Sequence, residues 1–167
     1  MASHYGEHFD SLHIAEYEHW KTGETDINLA LEEERLREHV ASLPKETQII
    51  VLAKSMGSIL TFLAVQSGAV NPIYCVFFGI PMDYAAVDIF SGTWTVLVPF
   101  TCSAIAFHNE HDPTASYEYS KKIIENYLPK VSFITTQGED HYYDNYEFYD
   151  NYLLTMFKKD TILLKHY

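Results

Sequence analysis

The stretch TQIIVLAKSMGSILTFLAVQSG, residues 47–68, decides the architecture. Its first eight residues are β-branched and apolar without alternation, the pattern of a strand covered on both faces. From Ser55 the chain is apolar on nearly every side, as a helix buried between a sheet and its neighbours would be, and Gly68 closes it. No loop separates the two. A covered strand running directly into a covered helix is the opening of a strand–helix–strand unit, and therefore of a parallel sheet.

The same alternation continues outward. Downstream, 73–80 (IYCVFFGI), 101–107 (TCSAIAF) and 131–135 (VSFIT) read as further strands. Residues 117–128 are amphipathic, with Tyr117, Ile123, Ile124, Tyr127 and Leu128 facing inwards. Residues 145–157 form a last helix with Tyr149, Tyr152, Leu153 and Met156 on one stripe. Upstream, 12–20 (LHIAEYEHW) extends as a strand, 21–26 is a polar loop turning at Gly23, and Asn28 caps a helix carrying Leu29, Leu36, Val40 and Leu43 until Pro44 ends it. Residues 81–99 form a less regular, cap-like excursion, and 1–11 a lead-in. No repeat or linker divides the chain, so residues 1–167 read as one domain. The expected fold is α/β, a three-layer sandwich around a mostly parallel sheet of about five strands joined by right-handed crossovers.

Composition agrees with a packed domain: 47% of the 167 residues are hydrophobic and 20% are charged. Twenty-three acidic against eleven basic side chains give a formal charge of −12, a field that repels phosphate backbones and anionic lipid. Neither nucleic acid nor a membrane surface is therefore an expected partner. Residues 55–82 and 89–107 carry no charge and are long enough to span a bilayer, but Gln66-Ser67-Gly68, Asn71-Pro72, Gly92 and Pro99 break them. The first residues, MASHYGEHFD, lack the basic and apolar regions of a secretory signal. Two cysteines, Cys75 and Cys102, cannot build a disulfide framework and read as buried free thiols. The expectation is a cytoplasmic protein.

In an open parallel sheet, ligands sit beyond the carboxyl ends of the strands. Three such ends carry Ser55, Asp112 and His141, a nucleophile, an acid and a base in that chain order. Ser55 stands at an abrupt strand-to-helix turn, with the small residues Ala53 and Gly57 two positions to either side. Such a turn lifts the hydroxyl out of the sheet and aims the next backbone N–H, that of Met56, at a developing oxyanion. Each residue also has a plainer use: Ser55 as a helix cap, Asp112 before Pro113 as a helix start, His141 as a surface histidine. Glu110, Asp140, Asp83 and Asp88 are competing acids. His108 and His111 share the Asp112 loop, yet they lack the helical spacing and distant third ligand of a zinc site. His4, His8 and His13 form a second loose cluster with the same weakness. No metal or organic cofactor is expected.

A-K-S-M-G (53–57) resembles the G-x-S-x-G nucleophile elbow of the α/β-hydrolase family, with Ala53 in place of the first glycine. AFHNEHDPTAS (106–116) looks like that family's acid loop, and VSFITTQGEDHYYDN (131–145) like its histidine loop. The resemblance covers about residues 12–157, and size and layout liken the chain to the small, nearly lidless retinoblastoma-binding-protein-9 type. It implies Ser55 as nucleophile, His141 as general base and then acid, and Asp112 as the group orienting the imidazole. The substrate would be a small ester, thioester or amide, and Phe90, Trp94 and Leu97 of the excursion read equally as a wall of the acyl pocket or as ordinary core packing.

The front of the chain departs from the family. A strand and its following loop, which supplies a second oxyanion N–H, normally precede this region. SHYGEH (3–8) is faintly similar to that loop, with Tyr5 as the candidate donor. The absent strand belongs between 12–20 and 47–54, so either those two pair directly, or another chain, a second copy or a partner, completes the sheet, or the sequence is an incomplete copy of a longer ancestor. The absent strand, Ala53 and the faint oxyanion loop together motivate the alternative of a non-catalytic, hydrolase-like binding domain, and an unfilled centre would impair catalysis.

Overall fold

The computed structural model describes residues 2–83, 89–154 and 161–166. In chain order the elements are α1 (Ala2–Tyr5), β1 (Ser11–Ile14), α2 (Glu18–Thr22), α3 (Leu29–Ser42), β2 (Gln48–Lys54), α4 (Met56–Gln66), β3 (Tyr74–Phe78), β4 (Ala104–Asn109), α5 (Tyr117–Tyr127), β5 (Val131–Thr136), α6 (Tyr146–Leu153) and β6 (Thr161–His166). Short 3-10 turns cover Gly6–His8 and Trp94–Leu97.

Alternate residues of the strands feed two separate cores. Ile49, Val51 and Ala53 of β2, with Cys75 and Phe77 of β3, pack against Leu36 of α3, Ile59 and Phe62 of α4, and Ile123 and Ile124 of α5. Ile50, Leu52, Val76, Phe78 and Phe107 point the other way, onto Tyr5, Tyr149 and Leu153 of α1 and α6. Both faces of the central strands are thus covered, which is why their sequences lack alternation. The result is the three-layer α/β arrangement expected. Among the described residues no helix is long and apolar enough to cross a membrane.

The sheet has six strands in the order β1-β6-β2-β3-β4-β5, every neighbouring pair parallel. Contrary to the sequence expectation, β1 and β2 neither pair directly nor leave a place for another chain: β6 of the same chain lies between them. Leu163 is in register with Leu12 on one side and Ile50 on the other. After β5 at the sheet's edge, α6 runs over the second face and the chain returns to the centre. The sequence reading stopped at the last helix and missed this strand. TILLKH is a short apolar run whose strand character comes from two waiting edges rather than from periodicity.

Other boundaries moved for local reasons. The strand expected over 12–20 ends at Ile14. Gly23 adopts a left-handed conformation (φ 76) and donates its N–H to the His19 carbonyl, closing the turn of α2. Glu18 then ties α2 to α3, its backbone N–H bonding Glu32 and its carboxylate bonding Arg35. Asn28 caps α3 as expected, accepting from the Leu31 N–H at 3.1 Å. The cysteines are free, but only Cys75 is buried; Cys102 is half-buried on a turn, its Sγ 3.8 Å from that of Cys75.

Candidate active site

Ser55 links β2 to α4 with φ 52 and ψ −126, a conformation that costs a residue with a Cβ roughly 1–3 kcal/mol. The surrounding bonds hold it there. Its N–H bonds the Phe78 carbonyl at the end of β3, and its own carbonyl accepts from the Ser58 N–H. The side chain caps nothing, which removes the plain helix-cap use. Met56 is the first residue of α4, so its N–H has no partner within the helix.

Asp112 lies just past β4, its side chain fully excluded from solvent. Oδ1 accepts from the backbone N–H groups of Thr114 and Ala115 at 2.8 and 3.1 Å. Oδ2 accepts from His141 Nδ1 at 2.7 Å and from the Tyr143 hydroxyl at 2.7 Å. Burial pushes the carboxyl's pKa up, but these donors outweigh it and bring it down to about 2. Asp112 is therefore an anion held against the imidazole. The competing acids are elsewhere. Glu110 and Asp140 are exposed, and Asp140 bonds the Tyr142 N–H; Asp83 is half-buried, and Asp88 lies outside the described residues.

The two loops that meet here are laced together. Glu110 N–H bonds the Thr136 carbonyl, His111 N–H the Gly138 carbonyl, and the Asn109 side chain joins the Asp140 carbonyl to the Thr136 hydroxyl. A Cβ on Gly138 would lie 2.5 Å from the Asn109 side chain, so only glycine allows this closeness. Tyr143 sits at φ 58, buried, with its hydroxyl accepting from the Asn109 N–H as it donates to Asp112. Sequence reasoning missed Tyr143. A tyrosine two residues after a histidine carries no signal of its own, and only the left-handed backbone aims it inward.

Gly79 connects the serine to the histidine. It follows Phe78, whose carbonyl holds Ser55, and a Cβ on it would lie 2.8 Å from His141 Cε1 and 2.7 Å from the Tyr143 ring. Lys54, immediately before Ser55, places its ammonium 5.7 Å from the Tyr142 ring centre. The elbow and the histidine loop thus adjoin. No hydrogen bond joins Ser55 Oγ to His141 Nε2, and among the described residues that buried nitrogen has no partner.

A cleft of about 610 Å³ opens at Ser55 and Met56. Residues of the 17–29 segment line it, among them Tyr17, His19, Trp20, Asp26, Ile27 and Leu29, together with Pro81, Ile89 and Thr114. Phe90, Trp94 and Leu97 are not part of this lining. They are buried in the first core, where Trp94 packs edge-on to Phe90 and Tyr119, because the excursion folds down onto α5. Tyr5 does not line the cleft either: its ring lies in the second core, edge-on to Tyr146 of α6.

The remaining histidines do not converge. His108 is buried, its Nε2 bonded to the Ala115 carbonyl and its ring stacked on Phe133, whereas His111 is exposed. His4 pairs with Asp150, and His13 stacks on His39.

No family model and no curated protein matches the chain. Among solved structures it resembles the crystal structure of Zea mays acyl-protein thioesterase 2, with a TM-score of 0.55 and 15% identity over 77% of this chain. The match spans 64% of the thioesterase chain. The likeness is one of fold, a parallel sheet with helices on both faces.

Proposed function

We propose that this chain is a serine hydrolase that cleaves a small ester, thioester or amide through an acyl-enzyme. The observation that carries the reading is the Asp112–His141 pair at 2.7 Å beside a strained serine whose hydroxyl caps nothing. Ser55 Oγ attacks the carbonyl carbon while His141 Nε2 takes its proton. The tetrahedral oxyanion is held by the Met56 N–H and the positive end of α4. The carbon–leaving-group bond then breaks, and His141 returns the proton to the departing oxygen, sulfur or nitrogen. Water repeats the sequence on the acyl-enzyme and frees Ser55. Asp112 keeps Nδ1 protonated and Nε2 basic. Tightening of the Ser55–His141 contact on substrate binding is ordinary for such sites. The fold likeness to a thioesterase supports this chemistry, and the nearly lidless layout and a cytoplasmic setting remain parts of the same reading.

The alternative is a non-catalytic binding domain, on the grounds of the absent front strand, Ala53 in place of the elbow's first glycine and the faint oxyanion loop. β6 fills the sheet centre, and the other two grounds stand. A fluorophosphonate probe separates the two. Labelling of the wild-type chain that disappears in Ser55→Ala and in His141→Ala, and persists in the exposed-site control His111→Ala, supports the hydrolase. A folded wild-type chain that takes no label would leave the binding domain as the better reading. His108→Ala is not a suitable control, because removing that buried ring would destabilise the Asp112 loop.

A further inference from the structure

We propose that the connection between β1 and α3, residues 17–29, is the acyl-binding wall of this site, and that it selects an uncharged, apolar acyl group. The inference rests on the hydrolase reading above, since the acyl carbon must lie at Ser55 Oγ. The one cleft that holds Ser55 and Met56 among the described residues is faced by this connection. Tyr17 is 1% exposed and lines the cleft. Trp20 is 49% exposed and packs against Tyr17 with ring centres 4.9 Å apart, an aromatic surface left open to solvent at the cleft. Ile27 and Leu29 are half-buried beside them.

Charge makes the selection. Among the described residues, no lysine or arginine lines the cleft, and the only carboxylate there is that of Asp26. Lys54, the cation nearest the nucleophile in sequence, has its ammonium over the Tyr142 ring on the histidine side. An acyl group bearing its own carboxylate would lose its hydration without gaining a partner. An aliphatic or aromatic acyl group would replace water on the exposed Trp20 ring. At about 30 Å³ per non-hydrogen atom, the 610 Å³ cleft accommodates on the order of twenty such atoms, a medium-length acyl group together with its alcohol.

The test compares kcat/KM for the p-nitrophenyl esters of acetic, hexanoic and succinic acid. The wild-type chain is expected to prefer hexanoate to acetate by about tenfold or more, and to turn over the hemisuccinate more slowly than either. Trp20→Ala should lower the hexanoate-to-acetate ratio about tenfold, and Asp26→Lys should raise the hemisuccinate-to-acetate ratio several-fold. Thermal unfolding checks that each variant is folded; if Trp20→Ala is not, Ile27→Ser replaces it with the same expected direction. A chain that takes the fluorophosphonate label but shows no chain-length preference, or whose ratios both variants leave unmoved, overturns the wall. Absence of label and of all ester turnover overturns the hydrolase reading itself.

Discussion

The carboxylate of Asp112 is taken wholly out of water, yet it accepts four hydrogen bonds, two from backbone N–H groups and one each from His141 and Tyr143. Its pKa falls to about 2 as a result, below the 3.8 of an ordinary aspartate. The sign follows directly. A depressed folded-state pKa contributes stability that is complete above the unfolded value and is lost as the pH falls through the folded one. The contribution is about 2 kcal/mol at neutral pH, and it disappears between about pH 4 and pH 2. Asp112→Asn should therefore flatten that part of the acid-denaturation curve. Tyr143→Phe removes one of the donors, so Asp112 should titrate at higher pH and acid unfolding should begin earlier. Urea midpoints across pH 2–7 read both effects; identical curves for wild type and Tyr143→Phe would show that the hydroxyl does not hold the carboxylate. The same substitution leaves the Asn109 N–H unpaired, which costs roughly 1–3 kcal/mol at any pH.

Among the elements, β6 does the most for the least sequence signal. It supplies the shared neighbour of β1 and β2, and without it each would face a gap about two strand spacings (~9.6 Å) wide with a row of unpaired backbone groups. Leu163 is registered against Leu12 and Ile50 at once. Leu163→Pro removes an N–H from a central strand and should destabilise the fold by about 3 kcal/mol or more. The matching substitution in the lead-in, Asp10→Pro, lies outside the sheet and should cost far less. Equal melting temperatures for the two variants would refute a structural role for β6. Because β1 leads directly into the cleft wall through Tyr17 and Trp20, loosening β6 should also weaken chain-length selectivity before it abolishes turnover.

At the scale of the whole molecule, the excess of acidic side chains sets a field of one sign, −12 in formal charge. Such a field raises the local concentration of cations and lowers that of anions, and salt screens it with a Debye length of about 10 Å at 0.1 M. With a cationic ester of the choline type, kcat/KM should fall several-fold between 0.02 and about 0.5 M salt. For a neutral ester of equal size it should hardly change. A neutral ester with the same salt dependence would show that salt acts on the fold or the chemistry and not on approach.

What the sequence determined by itself was local. Unalternating strands announced a sheet covered on both sides, Asn28 and Pro44 bounded a helix, and the serine, aspartate and histidine stood just past strand ends. These follow from backbone preferences and from which faces need covering, both written in short windows of residues. Only the tertiary structure decided which of several acids meets His141, that Tyr143 and Gly79 complete the setting, that Trp20 and not Trp94 faces the cleft, and that residues 161–166 close the sheet. Each of those depends on contacts between segments far apart in the chain, where a hydrogen bond at 2.7 Å or a missing Cβ selects one partner among many with equal local credentials.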